Sequence, residues 1–253
     1  MMTETLTIAV CVSEEVTLSD FITPIEILSS LNDGDRPASG GAMADVPYQV
    51  EIDYLAPTMD PVVSVKGRNA PTINPTLTYA DALAAGKQFD IIWVPAGPGP
   101  DFLTGESRIP NEEIVFIAQQ APKAKYVMSV CTGAFQLALA GVLEGKRATT
   151  NKLFYNAVVV CTYNYPLQHT TIDSDGIQAS TSKDIEWIPQ ARWVVADGGK
   201  VWTSSGVTAG SDMALAFVEH LTSAKVARQI RGEFEIPEVT EKDDPFAVFH
   251  GLV

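Results

Sequence analysis

The sequence predicts an α/β fold in which a doubly wound, mostly parallel sheet is sandwiched between helices. Short, uninterrupted apolar runs alternate along the chain with segments of strong helix formers. Uninterrupted apolar runs are typical of parallel strands that are buried on both faces. Their alternation with helices is typical of doubly wound sheets.

The strands are predicted where apolar residues run together, at residues 6–12, 48–55, 91–94, 125–130, 191–196 and 200–204. Helices are predicted where helix formers lie between or after those strands, at residues 24–31, 111–120, 132–140 and 210–230. Pro24 fits the first turn of its helix, where a missing N–H costs nothing. The Asp-Gly-Gly sequence at residues 197–199 indicates a hairpin. Residues 32–46, rich in Gly, Asp and Ala, indicate an exposed loop.

Length and composition predict one globular domain, and its acidity is compatible with a small-molecule substrate. The chain has 253 residues, of which 46% are hydrophobic and 19% are charged, and this is unlike a disordered protein. No internal repeat or shift in composition marks a boundary, so we expect a single domain over residues 1–253 with an irregular tail over residues 232–253. The net charge of −14 argues against nucleic acid or an anionic membrane as a partner, because those contacts depend on Lys and Arg.

The cysteines and the amino terminus predict a reducing, cytoplasmic location. Cys11, Cys131 and Cys161 are odd in number and lack metal-site spacing, so we expect no metal site. Cys11 lies in an apolar strand and Cys161 follows three valines, which favours core packing for both. No apolar stretch approaches the roughly 20 residues of a membrane helix. No basic region precedes an apolar run at the amino terminus, so a secretory signal is not expected.

Cys131 stands where an apolar strand runs into a helix. At such a junction the sulfur lies at a helix N-terminus, where unpaired N–H groups and the helix dipole favour the thiolate. Turns of this kind also tend to hold a nucleophile in a strained backbone conformation. The alternative is a plain buried thiol, since free cysteine is among the most buried residue types.

Two further segments are predicted to bring polar groups to the same edge of the sheet, where such folds bind ligands. Gly97 follows the strand at residues 91–94, in a turn whose glycines let backbone N–H groups approach a ligand closely. The alternative for this segment is a tight loop. Asp20 lies between the first strand and the first helix, and its alternative is a helix cap or a solvated carboxylate. Glu26, within that helix, is expected to be structural or exposed.

Together these segments resemble the ThiJ/PfpI superfamily, over residues 6–246. The resemblance rests on five stretches in matching order and spacing, namely residues 20–24, 94–99, 130–134, 140–150 and 203–215. It implies a flavodoxin-like sandwich with the cysteine at a nucleophile elbow, and a homodimer.

Within that superfamily the chain is most similar to the isocyanide (isonitrile) hydratase branch. Those proteins have Cys-Thr-Gly at the elbow, as at residues 131–133, and an aspartate four residues before a proline, as at Asp20. Glyoxalase-like and protease-like branches typically have histidine after the cysteine or nearby, where this chain has Thr132. His220 and His250 match no catalytic position of the family, whereas a catalytic role for His169 is left as an alternative.

One departure concerns the sequence after the elbow helix. Bacterial hydratases usually continue Ala-Thr-Thr-His-Trp, whereas residues 148–152 are Ala-Thr-Thr-Asn-Lys. Residues 153–188 then diverge from the bacterial pattern. If that segment lines the pocket, we expect a different substrate preference.

The resemblance implies a cofactor-free lyase that hydrates an isocyanide to an N-substituted formamide. Cys131 would attack the isocyanide carbon, Asp20 would hold the sulfur and move protons, and the N–H groups of Gly97 and Thr132 would form a polar pocket. The alternatives are a redox or stress-response protein that uses Cys131 as a sensor, and a glyoxalase- or deglycase-like activity. A transcription regulator is disfavoured, because the 22 residues after Arg231 are too few and too acidic for a DNA-binding module.

The same residues predict how the site ionises. Helix-end effects are expected to lower the pKa of Cys131 below its reference of about 8.5. A charged Asp20 would oppose this, so we expect Asp20 to be protonated, with its pKa raised by burial, and to donate a hydrogen bond to the thiolate. The two groups are then expected to titrate as a unit, with the thiolate forming at an apparent pKa near ~5.5.

Overall fold

A computed structural model describes residues 3–35, 43, 46–64, 69–99, 107–164 and 184–253. Its strands are β1 (Glu4–Cys11), β2 (Tyr48–Ala56), β3 (Val62–Val63), β4 (Thr72–Ile73), β5 (Leu77–Thr78), β6 (Ile91–Val94), β7 (Tyr126–Ser129), β8 (Arg147–Ala148), β9 (Glu186–Trp187), β10 (Trp193–Ala196) and β11 (Val201–Ser204). Its α-helices are α1 (Ile22–Ser29), α2 (Tyr79–Ala84), α3 (Asn111–Gln120), α4 (Gly133–Leu139), α5 (Tyr155–Asn164), α6 (Val207–Leu221), α7 (Ala224–Glu233) and α8 (Phe246–Phe249). Short 3-10 helices lie at Leu18–Asp20, Ser30–Asp35 and Asp197–Gly199.

The central sheet has seven strands in the order β10-β11-β7-β6-β1-β2-β5. All its neighbouring strands are parallel except β10 and β11, which form the hairpin predicted at their turn. The predicted doubly wound, mostly parallel sheet is therefore confirmed. From β1 the chain proceeds to β2 on one side and later to β6 on the other, so the strand order reverses at the β1–β6 pair. The loops after these two strands flank the crevice where such sheets bind ligands.

The two faces of the sheet are covered by different helices. Because successive side chains of a strand point to opposite faces, Ile8 and Val10 of β1 join one core cluster and Ala9 and Cys11 join the other. The first cluster packs on α1, α6 and α7, and the second on α2, α3 and α4. Among the helices of the described ranges, none is long and apolar enough to cross a membrane.

The predicted helix at residues 210–230 is wrong in one respect, because two helices occupy this stretch. The helix α6 ends at Leu221, and α7 begins two residues after Thr222. Ser223 has an extended backbone, and its side chain accepts a hydrogen bond from the N–H of Val226. A serine cap therefore separates the helices without the glycine or proline that would have indicated a break.

The tail predicted to be irregular contains the end of α7 and the single turn of α8. It is held to the rest of the fold by an ion pair between Asp244 and Lys152, whose charged atoms lie 3.1 Å apart and whose side chains are both buried. Lys152 directly follows the residues that pack beside Cys131. The tail is thus joined to the segment that follows Asn151.

Candidate functional site

Cys131 lies in the turn between β7 and α4, and its backbone has a φ of 59°. This left-handed conformation is strained for a residue with a side chain. Two hydrogen bonds hold it from either side. The Cys131 N–H donates to the carbonyl of Ser205 at 2.8 Å, and the Thr150 hydroxyl donates to the carbonyl of Cys131 at 2.8 Å. At Gly133 a Cβ atom would collide with the carbonyl of Val94, so the turn also requires glycine there.

Asp20 ends the 3-10 helix that follows β1, and it is fully buried. Its Oδ2 atom accepts a hydrogen bond from the N–H of Ala96 at 3.1 Å, and its carbonyl accepts one from the Trp93 indole at 3.1 Å. Oδ1 is buried without a hydrogen bond of good geometry within the described ranges, and the Cys131 thiol interacts with this carboxyl group. The alternatives of a helix cap or a solvated carboxylate are therefore wrong. Asp20 links the loop after β6 to the turn that holds the sulfur.

Burial dominates the ionisation of both groups. It raises the pKa of Asp20 to about 7, against the lowering effect of hydrogen bonds with Ala96 and with Cys131. The raised pKa expected for Asp20 is confirmed. Burial also raises the pKa of Cys131 to about 12, and the charge of Asp20 adds to this. The predicted lowering at Cys131 is wrong, because hydrogen bonds at the start of α4 do not offset desolvation of the sulfur.

The pair therefore releases its two protons far apart in pH. The first leaves near the pKa of about 7, and the second leaves only in strongly alkaline solution. Since the Asp20 carboxylate is itself a cause of the high pKa of Cys131, the sulfur is charged most readily while the remaining proton is on Asp20. Above about pH 7 the pair holds one negative charge, which lies mainly on Asp20 because its pKa is far below that of Cys131.

The structure brings Thr132 to the sulfur, where its backbone N–H and its hydroxyl both form hydrogen bonds that lower the pKa of Cys131. Gly97 stands one residue beyond Ala96, the partner of Asp20. A Cβ atom at Gly97 would lie 3.1 Å from the Nε2 atom of Gln136, so a larger residue would crowd that amide. Asp20, Cys131 and Thr132 are thus in direct interaction, and Gly97 adjoins them through the Ala96 contact.

Asn151 also forms a hydrogen bond to the sulfur through its side chain, and the sequence did not predict this. Its Oδ1 atom accepts hydrogen bonds from the N–H groups of Leu153 at 2.9 Å and Phe154 at 3.4 Å. The amide nitrogen therefore remains to face Cys131. The available signal was the departure from the bacterial hydratase pattern, since residue 151 stands where that pattern has histidine.

The histidines of the described ranges pack against aromatic rings. His220 on α6 packs with Tyr126, Trp202 and Phe217, at centroid distances of 5.7, 5.6 and 6.1 Å respectively. His250 packs edge-on against its neighbour Phe249. These contacts fit the expectation that neither is catalytic. His169 lies outside the described residues.

A second buried polar cluster lies behind the loop that contains Gly97. Glu113 of α3 is fully buried, and burial raises its pKa. It accepts hydrogen bonds from the Ser13 hydroxyl and from the Gln136 amide, the latter at 3.3 Å. The same amide donates to the carbonyl of Pro95 at 3.1 Å. The Glu113 carboxyl group, through the Gln136 amide, thereby supports the end of β6 from inside the fold.

Comparison with known proteins identifies the family to which this arrangement belongs. The model of the DJ-1/PfpI family matches residues 6–220, a span that includes Asp20, Gly97, Cys131 and Thr132. The chain belongs to the DJ-1/PfpI family.

Individual proteins of known sequence or structure are also similar to this chain. The isonitrile hydratase of Pseudomonas putida is 29% identical over 216 residues, which cover 85% of this chain and 72% of that protein. A crystal structure of a ThiJ/PfpI family protein from Pseudomonas syringae has a TM-score of 0.63 and 23% identity, covering 96% of this chain and 78% of its own.

Drosophila melanogaster DJ-1beta has a TM-score of 0.62 and 15% identity, covering 93% of this chain and all of its own length. At such identities the two structural matches support the fold alone.

Proposed function

We propose that this protein is a cofactor-free lyase that adds water to an isocyanide and releases an N-substituted formamide. The observation that carries the proposal is the buried Asp20–Cys131 pair, with hydrogen-bond donors from Thr132 and Asn151 at the sulfur. The similarity to an isonitrile hydratase supports the choice of substrate. An uncharged substrate of this kind also suits a buried site that already holds one negative charge.

In the first step the reactive form of the pair has its proton on Asp20 and its charge on sulfur. The sulfur forms a bond to the terminal carbon of the isocyanide, and Asp20 gives its proton to the same carbon. The product is a neutral thioimidate on Cys131, and Asp20 is left as a carboxylate. The pKa of about 7 suits Asp20 to this work, because a group of that pKa both gives and accepts protons near neutral pH.

In the second step the water oxygen bonds to the thioimidate carbon while the Asp20 carboxylate takes a proton from that water. Asp20 then passes a proton to the thioimidate nitrogen. The hydroxyl proton then returns to Asp20 as the carbonyl forms and the carbon–sulfur bond breaks. The formamide leaves, and both the thiolate and the protonated Asp20 are restored. We assign the N–H groups of Gly97 and Thr132 to the polar groups that develop on the substrate in these steps.

Formamide production from a panel of alkyl and aryl isocyanides tests the proposal. We expect the wild type to turn over part of the panel, and Cys131→Ala to reduce the rate on the order of 10³-fold or more. Cys161→Ala is the matched control, because it removes a half-buried thiol on α5 and should leave turnover unchanged. No turnover of any isocyanide, or equal rates for wild type and Cys131→Ala, would contradict the proposal. Consumption of methylglyoxal instead would favour the glyoxalase-like alternative.

A redox or stress-response role is the second candidate, and the donors at the sulfur favour it. Stepwise oxidation of Cys131 by two molecules of peroxide gives a sulfinate and releases water. The sulfinate oxygens would accept hydrogen bonds from Thr132 and from a protonated Asp20. Mass spectrometry after mild peroxide distinguishes the roles, because a sensor gains two oxygens at Cys131 and shows no turnover. A protein that turns over isocyanides while Cys131 resists peroxide would exclude the sensor role.

A further inference from the structure

We propose that Gly206 and Asn151 form a positioning pair, in which the bare Cα of Gly206 leaves room for the Asn151 amide to donate to the Cys131 sulfur. This assigns a role to two residues outside the proton-transfer steps. The inference concerns the site of the proposed function, but it is a statement about the sulfur and requires no particular substrate.

The position of Asn151 is fixed from its own side of the turn. Thr150, the preceding residue, donates its hydroxyl to the Cys131 carbonyl, so this segment lies directly against the cysteine. The N–H groups of Leu153 and Phe154 bind the Oδ1 atom of Asn151. Those bonds engage the oxygen, so the amide nitrogen is the atom left for the interaction between the Asn151 side chain and the Cys131 sulfur.

The position of Gly206 is fixed from the opposite side. The Ser205 carbonyl accepts the Cys131 N–H, which places Gly206 next to the turn. Gly206 has a φ of −68°, a value that any residue adopts, so its backbone conformation does not require glycine. A Cβ atom there would lie 2.9 Å from the Asn151 Nδ2 atom and 3.9 Å from its Cγ atom, and apart from its chain neighbours it would meet no other heavy atom of the described residues within 4 Å. The requirement for glycine is therefore space for this one amide.

The consequence for chemistry follows from the kind of donor. An amide donates to sulfur whether or not the Asp20–Cys131 pair has lost a proton, and its hydrogen bond is stronger when the sulfur is charged. Displacing the amide should therefore lower the share of thiolate. The share of thiolate at Cys131 should fall equally when the amide is removed by Asn151→Ala and when it is displaced by a Cβ atom in Gly206→Ala.

The rate of Cys131 alkylation by iodoacetamide at pH 8, followed by mass spectrometry in a Cys161→Ser background, tests this. We expect Asn151→Ala and Gly206→Ala each to slow alkylation by roughly three- to tenfold. The double variant should be no slower than Asn151→Ala alone, because Gly206→Ala acts only through the amide. Gly232→Ala on α7 is the control, since a Cβ atom there meets no atom of another described segment within 4 Å. Melting temperatures of all variants check that the fold is intact.

Two outcomes would overturn the inference. One is a Gly206→Ala rate equal to that of Gly232→Ala. The other is a double variant slowed by the product of the two single effects, which would show that the residues act independently. Alkylation requires no turnover, so a failure of the isocyanide screen would leave this result unaffected.

Discussion

Two buried cysteines in this protein each lie beside a buried carboxyl group, and the two clusters differ in what surrounds the sulfur. Cys11, at the end of β1, is 2% exposed and interacts with Glu113 and Tyr79. Cys131, after β7, is 7% exposed and interacts with Asp20. Burial raises the pKa of both thiols and of both carboxyl groups. Burial beside an acid is therefore common to a site we consider reactive and one we consider inert.

The difference lies in hydrogen bonding and backbone geometry. Cys11 belongs to a regular strand, and the Tyr79 side chain interacts with its sulfur in the direction that lowers the pKa. Cys131 has a left-handed backbone, and two residues, Thr132 and Asn151, donate to its sulfur. Glu113 is bound by Ser13 and Gln136, whereas Asp20 keeps one oxygen without such a partner in the described part of the chain. Our proposal that Cys131 is the reactive cysteine therefore rests on the donors at its sulfur and on the Asp20 oxygen that is left to exchange a proton.

The largest effect expected from this comparison is on turnover. Asp20→Asn keeps the size of the side chain but removes the exchanged proton, so we expect formamide production to fall on the order of 10³-fold. Glu113→Gln is the matched control, because it makes the same chemical change in the cluster at Cys11. We expect its turnover to stay within about threefold of the wild type. Initial rates at saturating isocyanide measure both.

A comparable loss in Glu113→Gln would contradict the distinction drawn between the clusters. It would assign Glu113 to the proton path through Gln136 and the loop of Gly97. Circular dichroism of both variants checks that neither loss comes from unfolding.

The sequence predicted most of the fold because its strands are buried on both faces. Runs such as residues 91–94 admit few other interpretations, and the helix at residues 111–120 is confirmed as α3. The division of residues 210–230 into two helices was not predictable from propensity. It depends on the Ser223 cap, and serine is also tolerated within helices.

The site was predictable only where a local motif contained the chemistry. Asp20, Cys131 and Thr132 follow from the turns that contain them. Asn151 and Gly206 come together only through the tertiary fold, since they precede different helices and meet at the cysteine. The prediction of a lowered pKa for Cys131 was wrong for a related reason. Helix-end effects can be predicted from the local sequence, whereas the depth of burial depends on the tertiary fold.

The second effect expected from the comparison of the two cysteine clusters is on the pH dependence of stability. Asp20 has a folded-state pKa of about 7, above its ordinary value of 3.8, so its protonated form favours the folded state. This contribution is fully present below about pH 3.8 and is lost as the pH rises to about 7, a difference of roughly 4 kcal/mol. Urea unfolding at intervals between pH 4 and 8 should show that the free energy of unfolding of the wild type declines as the pH rises. In Asp20→Asn the decline should be smaller by that amount.

Glu113→Gln should also flatten this decline, since burial raises the pKa of Glu113 in the same direction. The two carboxyl groups are thus expected to resemble each other in stability and to differ in turnover. A wild-type slope retained in Asp20→Asn would show that this carboxyl group is ionised in the folded protein at low pH.

The smallest effect concerns Cys11 itself. Cys11→Ser replaces a buried thiol by a hydroxyl that still reaches Tyr79, so we expect the free energy of unfolding to fall by about 1 kcal/mol. Turnover should stay within about twofold of the wild type, because the donors and the acid at Cys131 are untouched. The same substitution at Cys131 should abolish turnover, since a hydroxyl is a far weaker nucleophile at neutral pH. Urea unfolding and formamide assays on both serine variants measure this contrast. A large loss of turnover in Cys11→Ser would mean that the cluster behind Gly97 shapes the reactive site, and that the two cysteines do not act separately.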